Sequence, residues 1–182
     1  MSKLTTETSA ASPALTDILC TRCGLCCDGS LFADVELAGP DETSGLELLG
    51  LDVEDADEDE GALLLQPCGA LMGRRCSIYP HRPDCCRTFE CRLLQQVKTG
   101  AISLDRAKEK IAEALKRIER VKQLLLHLPQ GNERLPLKER CLEAFALSEE
   151  LNHDQEINQK RAELQIALTS LDNFIQKTFL GR

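Results

Sequence analysis

Ten cysteines are the residues of this 182-residue chain whose type and spacing point most directly to chemistry. Four of them form a Cys-x2-Cys-x2-Cys-Cys run, at Cys20, Cys23, Cys26 and Cys27. Five more fall in one short segment among glycines and prolines, at Cys68, Cys76, Cys85, Cys86 and Cys91. Because that segment has few apolar side chains, it needs disulfides or a metal to hold its fold. We expect the two cysteine clusters to close on each other around metal.

The spacing of the first cluster suits shared metal ligation. Two residues between successive cysteines let both thiolates reach one ion, and the same run begins the ligand set of ferredoxin-type 4Fe–4S clusters. The adjacent Cys26 and Cys27 point in divergent directions, so we expect them to serve two metals, or one metal and one structural role. Spacing leaves open two four-thiolate zinc sites, one cluster with spare thiols, or a multinuclear iron site. Gly24 would give the intervening turn a positive φ at little cost.

Charge is distributed unevenly along the chain. Residues 1–66 hold fifteen acidic and two basic residues, whereas residues 67–98 hold two acidic and six basic ones. A thiolate-ligated centre carries negative charge that arginines can offset, so Arg82 and Arg87 are candidate cofactor-binding residues. They would donate hydrogen bonds to cluster sulfurs or bind an anionic substrate; pairing with nearby carboxylates is the alternative. The formal net charge of −8 argues against nucleic acid as a partner.

The N-terminal residues give an indication of the cellular compartment of the protein. They are polar and lack an apolar h-region, and no stretch approaches the ~20 apolar residues of a membrane span. We therefore expect no signal peptide, no membrane partner and a cytoplasmic location. In a reducing compartment, this many cysteines favour metal or redox chemistry over structural disulfides.

Helical periodicity dominates the second half of the chain. An apolar seam with 3–4 spacing predicts a helix over residues 103–128, and similar patterns predict helices over 137–151 and 154–179. The two long helices are expected to pack antiparallel, although a dimer would bury the same stripes, and they could serve self-association or a protein partner. Before them the sequence predicts strands at 31–37 and 62–66, helices at 41–50 and 85–98, and an acidic loop or solvated insertion at 52–60.

The predicted fold class is mostly α with irregular loops. We expect a disordered N-terminal tail over residues 1–17 and a small, metal-nucleated cysteine-cluster domain over residues 18–98. An antiparallel helical hairpin or bundle is expected to follow over residues 101–182.

Residues 18–95 resemble the YkgJ-type cysteine-cluster family, to which zinc or iron chelation is attributed. The matching elements are Cys20-x2-Cys23-Gly-x-Cys26-Cys27, Pro67-Cys68, Cys76-x-Ile-Tyr79 and Arg82-Pro83-x2-Cys86-Arg87-x-Phe89-x-Cys91. The resemblance implies a metal-ligand set and places Cys85 at a variable position outside it. The implied ligands are Cys20, Cys23, Cys26, Cys27, Cys68, Cys76, Cys86 and Cys91.

Flagellin lysine methylases are similar through the same region and carry an iron–sulfur cluster, which favours iron over zinc. We expect a protein that chelates iron or zinc through eight cysteines. An iron–sulfur cluster is one form in which the iron would be held. One alternative is an iron–sulfur-dependent enzyme related to those methylases, which would need a pocket and an exchangeable ligand position. The other is a structural-metal module that presents a helical partner-binding surface.

Overall fold

The computed structural model describes residues 14–56, 61–149 and 154–181. Short elements make up the part that bears most cysteines: α1 (Leu15–Cys23), β1 (Asp34–Glu36), α2 (Pro40–Leu48), β2 (Val53–Asp55), β3 (Ala62–Leu65), β4 (Leu71–Met72), β5 (Arg75–Cys76), a 3-10 turn (Tyr79–His81), α3 (Asp84–Thr88) and α4 (Arg92–Lys98). Long helices follow: α5 (Leu104–Leu125), α6 (Leu137–Glu149) and α7 (Gln155–Ile175), which continues into a π-helical turn (Gln176–Leu180). The mostly α fold class with irregular loops is confirmed.

The C-terminal helices form the predicted antiparallel hairpin. The Oγ of Ser103 caps α5 by accepting a hydrogen bond from the Arg106 N–H at 3.1 Å. Helix α5 packs most extensively against α7, and Arg117 Nη1 donates to Ser170 Oγ at 2.6 Å. The antiparallel sense follows because Arg120, one turn further along α5, pairs with Glu163, two turns earlier in α7. The apolar stripes that a dimer could also have covered are therefore buried within one chain.

A small sheet supports the acidic N-terminal part. Strand β3 lies between β1 and β2, antiparallel to both, so that Leu64 stands opposite Val35 on one side and Val53 on the other. Leu64 is buried in a small core whose other buried members are Leu37, Leu46, Leu51 and Ala70. Five buried apolar residues, one of them an alanine, give this part little hydrophobic stabilisation of its own.

The main core runs through both halves of the chain. Leu19 and Leu25, beside the first cysteine cluster, and Leu93 on α4 are buried in the same cluster as Val121 and Leu125 of α5. The domain boundary expected near residues 98–101 stays a prediction. Apolar packing is continuous across this part of the chain. The cysteine-bearing part therefore rests on the helical hairpin.

The helix predicted over residues 85–98 is two helices. Phe89 adopts an extended backbone conformation (φ −65°, ψ 125°), and its ring packs edge-on against Phe32 with centroids 5.0 Å apart. The break makes Cys91 the N-cap of α4 and separates it from the helix that carries Cys86. The break coincides with the contact between the Phe89 and Phe32 rings.

Three other predictions need correction or lie partly outside the described residues. The predicted acidic loop begins with strand β2, in which Val53 pairs with Leu64, whereas residues 57–60 lie outside the described part. Residues 1–13 of the predicted tail also lie outside it, and Leu15 to Asp17 belong to α1. The third predicted helix ends in the π-helical turn and not as a regular α-helix. None of the described helices is both long and apolar enough to cross a membrane.

The burial of α7 predicts a contrast between two of its residues. Leu164 is fully buried, whereas Ile166 is 72% exposed on the same helix. We expect Leu164→Ala to lower the free energy of unfolding by about 2–5 kcal/mol and Ile166→Ala to change it by about 0.5 kcal/mol or less. Denaturant unfolding at matched metal content measures both. Equal effects of the two substitutions would contradict the described packing of α7.

Candidate metal centre

Nine of the ten cysteines line one cavity of about 480 Å³. The tenth, Cys141, is fully buried in the hairpin core, as the sequence predicts. All ten are free thiols, so the alternative in which disulfides hold the cysteine-rich segment is not observed. The convergence of the two clusters therefore agrees with the sequence-based expectation. The nine cavity cysteines are Cys20, Cys23, Cys26, Cys27, Cys68, Cys76, Cys85, Cys86 and Cys91.

Helix α1 and the turn after it position the first cluster. The helix ends at Gly24, whose φ of +72° fits the left-handed conformation that the sequence predicts there. Its O atom accepts hydrogen bonds from the Cys27 and Asp28 N–H groups at 3.0 and 2.9 Å. A Cβ at this position would lie 3.4 Å from Arg74 Cα, so the turn also packs closely on the β4–β5 hairpin.

Backbone hydrogen bonds join the second cluster to the first. The Cys68 N–H donates to the Cys27 carbonyl oxygen at 2.8 Å and also lies 3.1 Å from Gln66 Oε1. Strand pairing then places Cys76 opposite Leu71, in the hairpin that follows Cys68. These contacts tie Cys27, Cys68 and Cys76 together through the main chain, before any metal contributes.

Two short helices bring the remaining cysteines to the cavity. Cys85 and Cys86 lie on α3, with their Sγ atoms 4.0 Å apart, and Cys91 caps α4. The Oε1 atom of Glu42, on α2, accepts the Asp84 N–H at 2.7 Å and so holds the first turn of α3. The placement of Cys86 therefore depends on a contact between residues far apart in sequence.

Packing places five of the eight predicted ligands against two different cores. Cys20, Cys23 and Cys91 pack against the main core, whereas Cys68 and Cys76 pack against the small core. The remaining three, Cys26, Cys27 and Cys86, line the same cavity.

After burial, the largest contributions to the raised pKa of Cys26 come from its neighbours Cys23, Cys27, Cys91 and Cys20. The corresponding neighbours that raise the pKa of Cys27 are Cys68 and Cys76. The pKa of Cys86 is raised chiefly by its hydrogen bond with Cys85 and by burial, with further contributions from Cys27 and Cys68. We name Cys20, Cys23, Cys26 and Cys91 the first thiol group, and Cys27, Cys68, Cys76 and Cys86 the second thiol group.

Partial burial favours the protonated form of Cys20, Cys23 and Cys27 when no ion is near. It raises the pKa of Cys20 from 9.0 to about 11, and the pKa values of Cys23 and Cys27 to about 12. A thiol that coordinates zinc or iron is deprotonated, so metal binding at this cavity must release protons. Among the described residues, no three His, Cys, Asp or Glu side chains form a group that could hold an ion as they stand. The donor chemistry nevertheless fits soft, thiophilic metals, because sulfur dominates the candidate ligands.

Arg82 and Arg87 both line the cavity. Arg82 Nε donates to the Tyr79 carbonyl oxygen at 3.0 Å, and its Cζ lies 3.5 Å from the centroid of the Tyr79 ring. Arg87 Nε donates to the Arg82 carbonyl oxygen at 2.7 Å, so the second arginine fixes the backbone of the first. Within the described residues neither guanidinium forms an ion pair with a carboxylate.

Sequence reasoning missed part of the cavity wall. Phe32 lies in it, as does Phe179, which belongs to the C-terminal π-helical turn. Together with Phe89 they also line a second, more open cavity of about 450 Å³, so these rings separate the thiols from a surface pocket. Gln66 is a buried residue that sequence reasoning also missed. The one sign of it in the sequence is a polar side chain directly after an apolar strand.

The raised thiol pKa values predict how the stability of the metal-free protein depends on pH. Between about pH 9 and 12 the unfolded chain loses thiol protons that the folded protein keeps, so the free energy of unfolding falls as pH rises through this range. Thermal unfolding of chelator-treated, reduced protein from pH 8 to 11 measures the effect. Bound metal reverses the sign, since acid then competes with the ion for the thiolates. A constant unfolding temperature in the metal-free series would contradict the buried thiols.

Comparison with known protein families matches this arrangement to one family. The model of the CxxCxxCC family, described as a "putative zinc- or iron-chelating domain", matches residues 19–121. The match runs beyond residue 95, where the sequence resemblance was expected to end, and includes most of α5. No curated protein and no solved structure is similar enough to be matched. With more than half of its length matched, the chain belongs to the CxxCxxCC family of zinc- or iron-chelating domains.

Proposed function

We propose that the protein chelates two metal ions, zinc or iron, each through four thiolates. The first thiol group would hold one ion and the second thiol group the other. The observation that supports this proposal is the convergence of the eight cysteines on one cavity, where Cys20, Cys23 and Cys91 pack against the main core and Cys68 and Cys76 against the small core. Four thiolates in a tetrahedral arrangement are a complete ligand set for zinc and are equally suited to iron.

The adjacent Cys26 and Cys27 support two ions more than one. Cys27 is tied to Cys68 by the 2.8 Å backbone hydrogen bond, and Cys26 has no such bond to the second cluster among the described residues. Because neighbouring side chains leave the backbone in different directions, one ion would not readily accept both. With two ions, all eight cysteines of the family pattern are ligands. A single cluster would leave some of them unused. The eight-cysteine pattern therefore favours two mononuclear centres over one iron–sulfur cluster.

The proposed four-thiolate sites argue for chelation over catalysis. A catalytic metal site keeps a coordination position open for water or substrate, whereas four thiolates around a tetrahedral ion fill every position. We therefore favour metal chelation over the alternative of an iron–sulfur-dependent enzyme. The small core around Leu64 gives the metal a second role, since ligation stabilises a part of the fold that buries few apolar side chains.

Single cysteine substitutions test the division. Cys91→Ser should remove the ion of the first thiol group and Cys76→Ser that of the second, so each variant should bind one ion where the unaltered protein binds two. Cys85→Ser is the matched control: it lines the same cavity but belongs to neither group, and it should still bind two. Elemental analysis of anaerobically purified protein gives the metal count, and Co²⁺ substitution gives the thiolate-to-cobalt absorption of each site.

Other outcomes are equally informative. Loss of all metal from both variants would indicate one shared cluster. Iron together with acid-labile sulfide in the unaltered protein would identify that cluster as iron–sulfur. Loss of an ion from Cys85→Ser would contradict the assignment of eight ligands.

A further inference from the structure

Cys85 is the cavity cysteine that the eight-ligand pattern leaves out. Its Sγ atom lies 4.0 Å from the Sγ atom of Cys86, which is one of the eight predicted ligands. Both side chains are half-buried, and both line the cavity in which the other seven thiols meet. A ninth thiol is therefore held directly beside a predicted ligand position.

The distance between these two sulfurs is close to the distance that a metal ion imposes on its ligands. Four thiolates bound at about 2.3 Å around a tetrahedral zinc ion lie about 3.8 Å from one another. An ion within bonding distance of Cys86 Sγ is then a short displacement away from Cys85 Sγ. Because adjacent side chains leave the backbone in different directions, we expect the ion to bind one of the two thiolates at a time.

Helix α3, which carries Cys85 and Cys86, is held at both ends. The Asp84 N–H donates to Glu42 Oε1 at 2.7 Å at its start, and the ring of Phe89 packs on another aromatic ring just after its end. Among the described residues, however, neither thiol packs against the main core or the small core. Rotation about a side-chain bond of either cysteine would therefore disturb little apolar packing, while the pair stays at the cavity.

We propose that Cys85 is an alternative metal ligand that can take the place of Cys86. The inference rests on the proposed chelating function and adds a ninth cysteine to it. In the exchange, the bond between the ion and Cys86 Sγ breaks and a bond to Cys85 Sγ forms. The proton of the Cys85 thiol passes to the departing Cys86 thiolate, so the ion keeps four thiolates and the charge of the centre does not change. No oxidant or reductant takes part.

Removal of Cys86 tests this exchange. Cys86→Ser should still bind two Co²⁺ ions, the second more weakly than in the unaltered protein, because Cys85 completes the ligand set. The double variant Cys85→Ser/Cys86→Ser should bind one. Cys76→Ser is the matched control: no cysteine is adjacent to Cys76, so this single substitution should cost one ion. Anaerobic Co²⁺ titration counts the ions, and the thiolate-to-cobalt absorption per ion reports whether Cys86→Ser keeps four sulfurs at each site.

The outcomes separate this inference from the function on which it rests. Loss of one ion from Cys86→Ser, as from Cys76→Ser, overturns the role of Cys85 and leaves two metal sites in the unaltered protein. Equal Co²⁺ binding and spectra in Cys86→Ser and the double variant overturn it too, because a group other than Cys85 would then complete the site.

A kinetic measurement decides the question if Cys86→Ser fails to fold. Exchange through Cys85 predicts that the Cys85→Ser variant transfers one of its two ions to a chromophoric chelator more slowly than the unaltered protein does, and an unchanged rate overturns the inference. Failure of the two-site proposal is seen separately, as an unaltered protein that does not bind two ions.

Discussion

The burial of thiols in a cavity is the constraint on which the structure depends. Nine half-buried thiols are gathered there, and burial raises the pKa values of Cys20, Cys23 and Cys27 among them. Neutral thiols form only weak hydrogen bonds, so their convergence adds little stability without an ion. An ion that takes up thiolates turns the same convergence into strong bonds. Ligation and folding are therefore coupled in this part of the chain.

The helical hairpin supplies the rigidity that the cysteine segment lacks. Leu19, Leu25 and Leu93 extend the hairpin core to the first thiol group, and Phe179 brings the last turn of the chain to the cavity wall. The second thiol group rests on a much smaller core around a three-stranded sheet. Cys20, Cys23 and Cys91 are thus supported by a continuous helical core, whereas Cys68 and Cys76 rest on a small core and on backbone hydrogen bonds.

Much of this arrangement could be predicted from local patterns. The Cys-x2-Cys-x2-Cys-Cys run, the Gly24 turn and the seam of α5 each carry their information within a few residues. The break at Phe89 could not be predicted, because it depends on the ring of Phe32, which is distant in sequence. The same holds for Glu42, which holds α3, and for Phe179, whose periodicity indicated burial but not what it would contact. The division of thiols into two groups also needs the tertiary fold, since spacing allows several assignments.

The sulfur-rich lining of the cavity has a consequence for selectivity. Thiolates also bind Cu(I) strongly, and nothing in a set of four sulfurs excludes it in favour of zinc or iron. Which element fills such a cavity is then decided by the free concentrations that surround it at the time of folding. A cell that buffers copper tightly would leave the cavity to more abundant ions, so that occupancy reflects supply as much as ligand preference.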